Sequence, residues 1–251
     1  MEPATWESWY RHPEPRTVNY TRSIVSYLDI LGFRELVQTR TAGEVSRILR
    51  ILAESVSPHP KDEPATIVFT KFSDTVIRSM TQSSYAFFIY ELKSILRAQV
   101  ALIPEGVTIR GAITVGNIVQ SWDVVYGPAV VRAYDLESAK PGHPRIVIDE
   151  EALSLLDPEL DGEKLISELG LARRDGTTIY LDYLNACDVE LRAQDDEYQR
   201  FLEIHRDFIK KALARYSNSA EVLPKYEWLR RYHQCILKER FGLDIPPHLN
   251  V

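Results

Sequence analysis

The sequence predicts an α+β sandwich on a split β-α-β-β-α-β core, with a helical appendage at its C-terminal end. Three observations predict it. Short runs rich in β-branched and aromatic residues alternate with longer segments of helical period up to about residue 185. Two such runs are separated by only Ser73 and Asp74, which is hairpin spacing. Beyond about residue 190 the pattern is helical, in two segments split near residues 218–224.

Residues 1–20, rich in Pro and Trp and without period, read as an extended N-terminal arm. SIVSYLDIL at 23–31 reads as a buried strand holding one acid, and Gly32 follows it. Leu36, Val37, Val45, Ile48, Leu49 and Leu52 recur at helical spacing, so the expectation is one helix over 33–55. PHPKDEP is a loop by composition. ATIVFTKF and TVIRSM form the hairpin around Ser73-Asp74. A helix over 83–102 ends at the Pro104-Glu105-Gly106 turn. VTIRGAITVGNIV is one strand, or two broken at Gly116. A helix over 127–140, the short strand RIVID, a short helix over 149–156 and a hairpin in ARRDGTTIYLDYL complete the series. The first six elements match the ferredoxin-like split pattern. The expected division is an arm at 1–20, a catalytic domain at 21–188 and a helical appendage at 189–251.

Composition narrows the function. The chain has 251 residues, 45% hydrophobic and 26% charged, with a formal net charge of −6. That charge gives no reason to expect nonspecific binding to nucleic acid or to an anionic membrane. A protein of this charge that handles a polyanion must gather its positive charge locally or borrow it from metal ions. Cys187 and Cys235 fit neither a zinc site nor a disulfide framework and suit reduced thiols. No apolar run reaches the ~18 residues of a membrane span, and MEPATWESWYRHPEPR lacks the apolar core of a signal peptide. The expected location is the cytoplasm.

Two acids stand out. An acid inside an apolar strand, as Asp29 is, costs free energy unless it is paired or binds a cation. The glycine turn after it would point backbone N–H groups at a phosphate from the positive end of a helix. The same Asp would equally serve as a helix N-cap before Phe33. Asp74 sits at a hairpin tip, where Asp is common for turn reasons alone. In a ferredoxin-like sheet, however, the first strand lies beside this hairpin, so the two acids could share a metal pair suited to phosphoryl transfer.

Four segments carry a resemblance to class III nucleotidyl cyclases, over about residues 22–185. YLDILGF at 27–33 resembles the first metal motif, and KFSD at 71–74 the second, with Ser73 where the family usually has Gly. IRGAITVG at 109–116 resembles the strand whose Arg holds phosphates, and YGPAVVRAYDLES at 126–138 the segment of the dimer-interface helix. The resemblance implies the class III cyclase sandwich and two Mn²⁺ or Mg²⁺ ions held by Asp29, Ile30 and Asp74. It also implies a nucleoside triphosphate bound by Gly32, Phe33, Thr70 and Arg110. It implies a homodimer as well, with metal residues from one subunit and base-side residues from the other.

The departures shape the substrate expectation. The Asn and Arg that the family uses at the transition state are Val131 and Asp135 here. The base-reading Lys and acid fall in register on Thr70 and Val124, with Lys71 and Asp123 each one residue off. Arg132 and Tyr134 are the candidates to replace the missing catalytic or base-contacting groups; a helix-surface ion pair and interface packing are their ordinary roles. Arg173 or Arg174 could stand for a triphosphate-binding Lys, or be a solvated charge pair. Trp122, Tyr126 and Tyr134 could stack on a base or simply pack, and His143 reads as a loop residue. The wording of the motifs resembles the Pycsar-type antiphage cyclases. That implies a pyrimidine cyclase, UTP to cyclic UMP, feeding a cyclic-nucleotide-sensing effector. Cyclic CMP from CTP, and an inactive nucleotide-binding or dimerisation module, remain the alternatives.

Overall fold

The computed structural model describes residues 18–57, 67–81, 84–120, 124–139, 142–190 and 195–251. Most of the expected N-terminal arm, the PHPKDEP loop, Trp122 and Asp123 lie outside these residues.

The fold is α+β with a mixed sheet. β1 (Thr21–Ile30) is central, flanked antiparallel by β3 (Thr75–Met80) and β4 (Ile109–Gln120). β2 (Ile67–Phe72) pairs outside β3, giving the split order expected from the sequence. Beyond β4 the sheet continues with β6 (Ile146–Ile148), parallel to β4, and then β8 (Thr178–Leu181) and β7 (Ala172–Asp175). A two-residue strand β5 (Val125–Tyr126) folds back on β4.

Alternation along β1 assigns its two faces. Ile24, Leu28 and Ile30 enter the main core under α2 (Ala42–Val56) and α3 (Tyr85–Leu102). Val25 joins Ile118 and Ala129 beneath α4 (Pro128–Ser138), and Tyr27 and Asp29 share that second face. Gly116 does not break β4. It sits under α4, where an added Cβ would approach the Ala129 Cβ to 3.2 Å, so its smallness serves helix-on-sheet packing.

The single helix expected over 33–55 is two. α1 (Phe33–Thr39) stops before Thr41, whose side chain caps α2 in a reciprocal capping box with Glu44. The expected C-terminal hairpin is shorter than its sequence run, because Tyr183 starts α6 (Tyr183–Glu190). α5 (Glu150–Leu153) is a single turn after β6.

A charged pair lies inside the core. Arg78 of β3 and Glu91 of α3 are both fully buried and hydrogen-bonded, and Ser26 Oγ donates to Glu91 at 2.5 Å. Burial pushes the Glu91 carboxyl up, against the pull of Arg78 and Ser26. Among the described residues Arg78 Nε and Nη2 find no acceptor, so this pair is incompletely satisfied there.

The appended helices α7 (Asp195–Arg215) and α8 (Leu223–Phe241) share the main core through Leu202, Ile209, Leu229 and Leu237. A buried histidine pair ties them together. His233 Nε2–H donates to the Leu249 carbonyl at 3.0 Å. Its Nδ1 is therefore the acceptor for His205 Nδ1–H at 2.9 Å. His205 Nε2 in turn accepts the Tyr183 hydroxyl at 2.5 Å. Neither ring can take a second proton without losing an acceptor, and burial holds both below the ordinary histidine range. Since the unfolded chain takes up protons first, this stability is present above about pH 6.5 and is lost as pH falls. At pH 5 the expected loss is up to about 2 kcal/mol per histidine, read as a lowered urea midpoint. A His205→Gln variant should flatten that dependence; an unchanged pH profile would refute it.

Candidate active site

Strand register builds the site. Asp29 of β1 pairs with Thr75 on one side and Arg110 on the other. Asp74 precedes Thr75 in the β2–β3 turn, so the two acids arrive from adjacent strands. Arg110 donates to Asp29 Oδ2 from Nε at 3.0 Å and from Nη2 at 2.9 Å. The Arg110 Nε also lies 2.8 Å from Glu137 Oε1, on the last turn of α4. Glu137 is nearly fully buried, and its Oε1 has no hydrogen-bond donor of its own.

Burial raises the Asp29 carboxyl to about 6 despite Arg110, and the charge of Asp74 and a hydrogen bond between the two carboxyls add to the rise. Asp29 and Asp74, in hydrogen-bond contact beside the buried Glu137, are a set of oxygen donors that suits a divalent cation. The side chains alone do not make a closed cage. Among the described residues no three His, Cys, Asp or Glu groups are gathered at metal-ligating spacing. Ile30 buries its side chain, so any ligation by it comes from the main-chain carbonyl.

The turn after β1 has the form needed to receive phosphate. Gly32 is left-handed at φ 77° and opens α1, and its carbonyl accepts the N–H groups of Glu35 and Leu36. The Phe33 and Arg34 N–H groups precede the first intrahelical bond and have no intrahelical acceptor. Leu31 N–H is already bonded to Thr108. Phe33 is half-buried against the core, leaving its backbone as the polar part. Ser73 takes φ 57° at the hairpin tip, the conformation that a glycine there would adopt without strain.

Tyr134 is exposed on α4 and meets Tyr27 edge-on at 5.8 Å, on the face that holds Asp29. Arg132 is engaged away from the carboxylate pair. It makes a bidentate bond to the buried Asp149 at 2.8 and 3.0 Å and a further one to Glu151 at 3.1 Å. Thr70 pairs through Ile77 with Tyr27, which puts Thr70 on the Asp29 face and Lys71 on the opposite one. Arg173 is held by Asp182 and Glu239, and Arg174 by Glu150 and Glu163. His143 stacks on Trp228 at 5.3 Å, and burial lowers it to about 4.

Two residues escaped the sequence reading. Glu137 closes the site from α4, yet in sequence it is an ordinary helical acid. Gln120 ends β4 and donates from Nε2 to Thr70 Oγ1 at 2.9 Å, with its Oε1 buried and unpaired among the described residues. Nothing local in NIVQ marks it, because the contact depends on the far end of β4 reaching β2.

No protein-family model matches the chain, and no curated protein sequence matches it. Among solved structures, the chain is similar to the adenylyl cyclase CyaB from P. aeruginosa. That match has 18% identity and a TM-score of 0.41, and covers 66% of this chain and 95% of that one. It is similar to the guanylyl cyclase Cya2 at 15% identity and a TM-score of 0.43, over 65% and 92% of the two chains. It is similar to the adenylate/guanylate cyclase/hydrolase from Silicibacter pomeroyi at 17% identity and a TM-score of 0.42, over 64% and 95%.

Proposed function

We propose that the chain is a homodimeric nucleotidyl cyclase that closes UTP to 3′,5′-cyclic UMP and releases diphosphate. The observation that carries the reading is the Asp29–Asp74 pair from adjacent strands with Arg110 in register beside it. The class III motif resemblance supports the same reaction. In it the ribose 3′-oxygen attacks the α-phosphorus, and the bond from that phosphorus to the β-phosphate bridging oxygen breaks. Two divalent ions held by Asp29, Asp74 and the Ile30 carbonyl would acidify the 3′-hydroxyl and neutralise the leaving diphosphate. The backbone at Gly32 and Phe33 orients the triphosphate. Arg110, which donates to Asp29 in this structure, is the cation placed to neutralise phosphate charge if divalent ions occupy that carboxylate.

The base assignment rests on Thr70 and Gln120. The Thr70 oxygen accepts from Gln120, leaving its own O–H to donate, and Gln120 Oε1 is an unpaired acceptor. One donor and one acceptor match the O4 and N3–H edge of uracil when the Thr70 hydroxyl faces O4; the N3 and amino edge of cytosine needs the same two groups in exchanged positions. Val131 and Tyr134 on α4, with Val124 and Tyr126 beside it, are exposed apolar side chains that support a dimer face there. Among the described residues no helix is long and apolar enough to cross a membrane. The resemblance further supports a cytoplasmic role in antiphage signalling through a cyclic-nucleotide-sensing effector.

The test is incubation with ATP, GTP, CTP and UTP separately, with Mn²⁺, and mass spectrometry of the products. Cyclic UMP is the expected main product, made by a species that sediments as a dimer. Cyclic CMP would move the base reading to cytosine. A purine product would overturn the Thr70–Gln120 assignment, and no product with any triphosphate would favour an inactive module.

A further inference from the structure

A cavity of about 340 Å³ lies between α7 and the turn that joins α1 to α2, away from the carboxylate site. Its charged lining is mainly cationic. Lys211 and Arg215 stand one turn apart on α7, and Arg40 faces them from the end of α1. Arg40 and Lys211 form no ion pair within 4 Å among the described residues. Asp207 is the one acid on the lining among the described residues, and Arg206 already holds it at 2.8 Å. The floor is apolar, from Ile103 and Phe208, and the wall is the Tyr216–Tyr226 stack at 5.3 Å.

Arg215 and Tyr216 also reach out of the cavity. Arg215 is ion-paired with Glu35, and the Tyr216 hydroxyl donates to the same carboxylate. Glu35 belongs to the first turn of α1, the helix that opens directly after the Asp29 strand and Gly32.

We propose that this cavity is an effector site for a small phosphate monoester carried on a single ring. The volume is at the lower end of ligand cavities, enough for one ring and its phosphate. Three cations around an apolar floor favour a dianion over a carboxylate, since a phosphate monoester carries roughly −1.5 to −2 charges at pH 7. A phosphate at Arg215 competes with Glu35, and loosening Glu35 frees the turn that orients the triphosphate. This second half rests on the cyclase reading; binding itself does not.

Phenyl phosphate is the probe, titrated calorimetrically in EDTA into the Asp29→Asn/Asp74→Asn protein so that the carboxylate site cannot contribute. One saturable site per chain is expected, with benzoate binding at least about ten-fold more weakly. Arg40→Ala/Lys211→Ala should weaken phenyl phosphate by about ten-fold or more. Ala212→Phe, which fills the cavity and keeps its charges, should abolish binding. No saturable binding, equal affinity for benzoate, or binding untouched by both variants would overturn the site. In the wild-type enzyme with Mn²⁺ and UTP, phenyl phosphate should shift KM more than kcat, and Glu35→Gln should remove that shift. Binding without any kinetic effect would overturn the effector role and leave the cyclase reading intact.

Discussion

Replacing Asp29 or Asp74 by Ala is expected to lower cyclic nucleotide formation by about 10³-fold or more, with the fold preserved. Asp29 sits at the end of a ten-residue strand that is fixed on both sides by long ladders, so one side chain there does not hold the sheet. Asp29 holds negative charge where burial, first, and the neighbouring Asp74, second, oppose it. That arrangement is unfavourable for the empty protein and favourable only with a cation. Asp29→Asn should therefore raise the stability of the metal-free protein, by about 1–2 kcal/mol in urea denaturation with EDTA. Metal binding needs the ionised carboxylate, so Mn²⁺ affinity should rise with pH through about 6 and fall below it. Full activity in either Ala variant, with Mn²⁺ still required, would remove the metal assignment.

Glu91→Ala carries the largest expected cost in stability. It leaves Arg78 charged and fully buried with its one acceptor among the described residues gone, a loss of about 3–5 kcal/mol. For a chain of this size each kcal/mol moves Tm by roughly 2–4 °C, so a fall of about 6–20 °C is expected by calorimetry. The double variant Arg78→Met/Glu91→Leu should recover most of it, because apolar groups of similar volume leave no charge to satisfy. If Glu91→Ala costs under about 1 kcal/mol, Arg78 is hydrated and the pair is not part of a dry core.

How much of this was legible depended on the range of each interaction. The β1 strand and the β2–β3 hairpin follow from local composition, and the central place of β1 follows from element order. The break between α1 and α2 was written locally too, in Thr41 and Glu44, but the hydrophobic spacing runs through it and masks the cap. The start of α6 was hidden because IYLDYL continues the β-rich run past its true end. Arg78–Glu91, Arg110–Glu137, Thr70–Gln120 and His205–His233 were not legible. Each joins residues on elements whose relative placement no local pattern encodes. Parity along β2, by contrast, was decidable in advance: strand alternation alone separates Thr70 from Lys71.

The hydrogen bond from Tyr216 to Glu35 spans 181 positions of sequence. At ordinary elongation speeds, roughly 5–20 residues per second, Glu35 waits about 10–35 s on the ribosome before its partner is made. Asp29, Asp74 and Arg110 come from local and mid-range pairings and can dock well before then, whereas the longest loop closure has the least local help. The turn that would face the triphosphate is thus secured last during synthesis, and a nascent chain carries its carboxylates before it carries the contact that steadies the neighbouring helix.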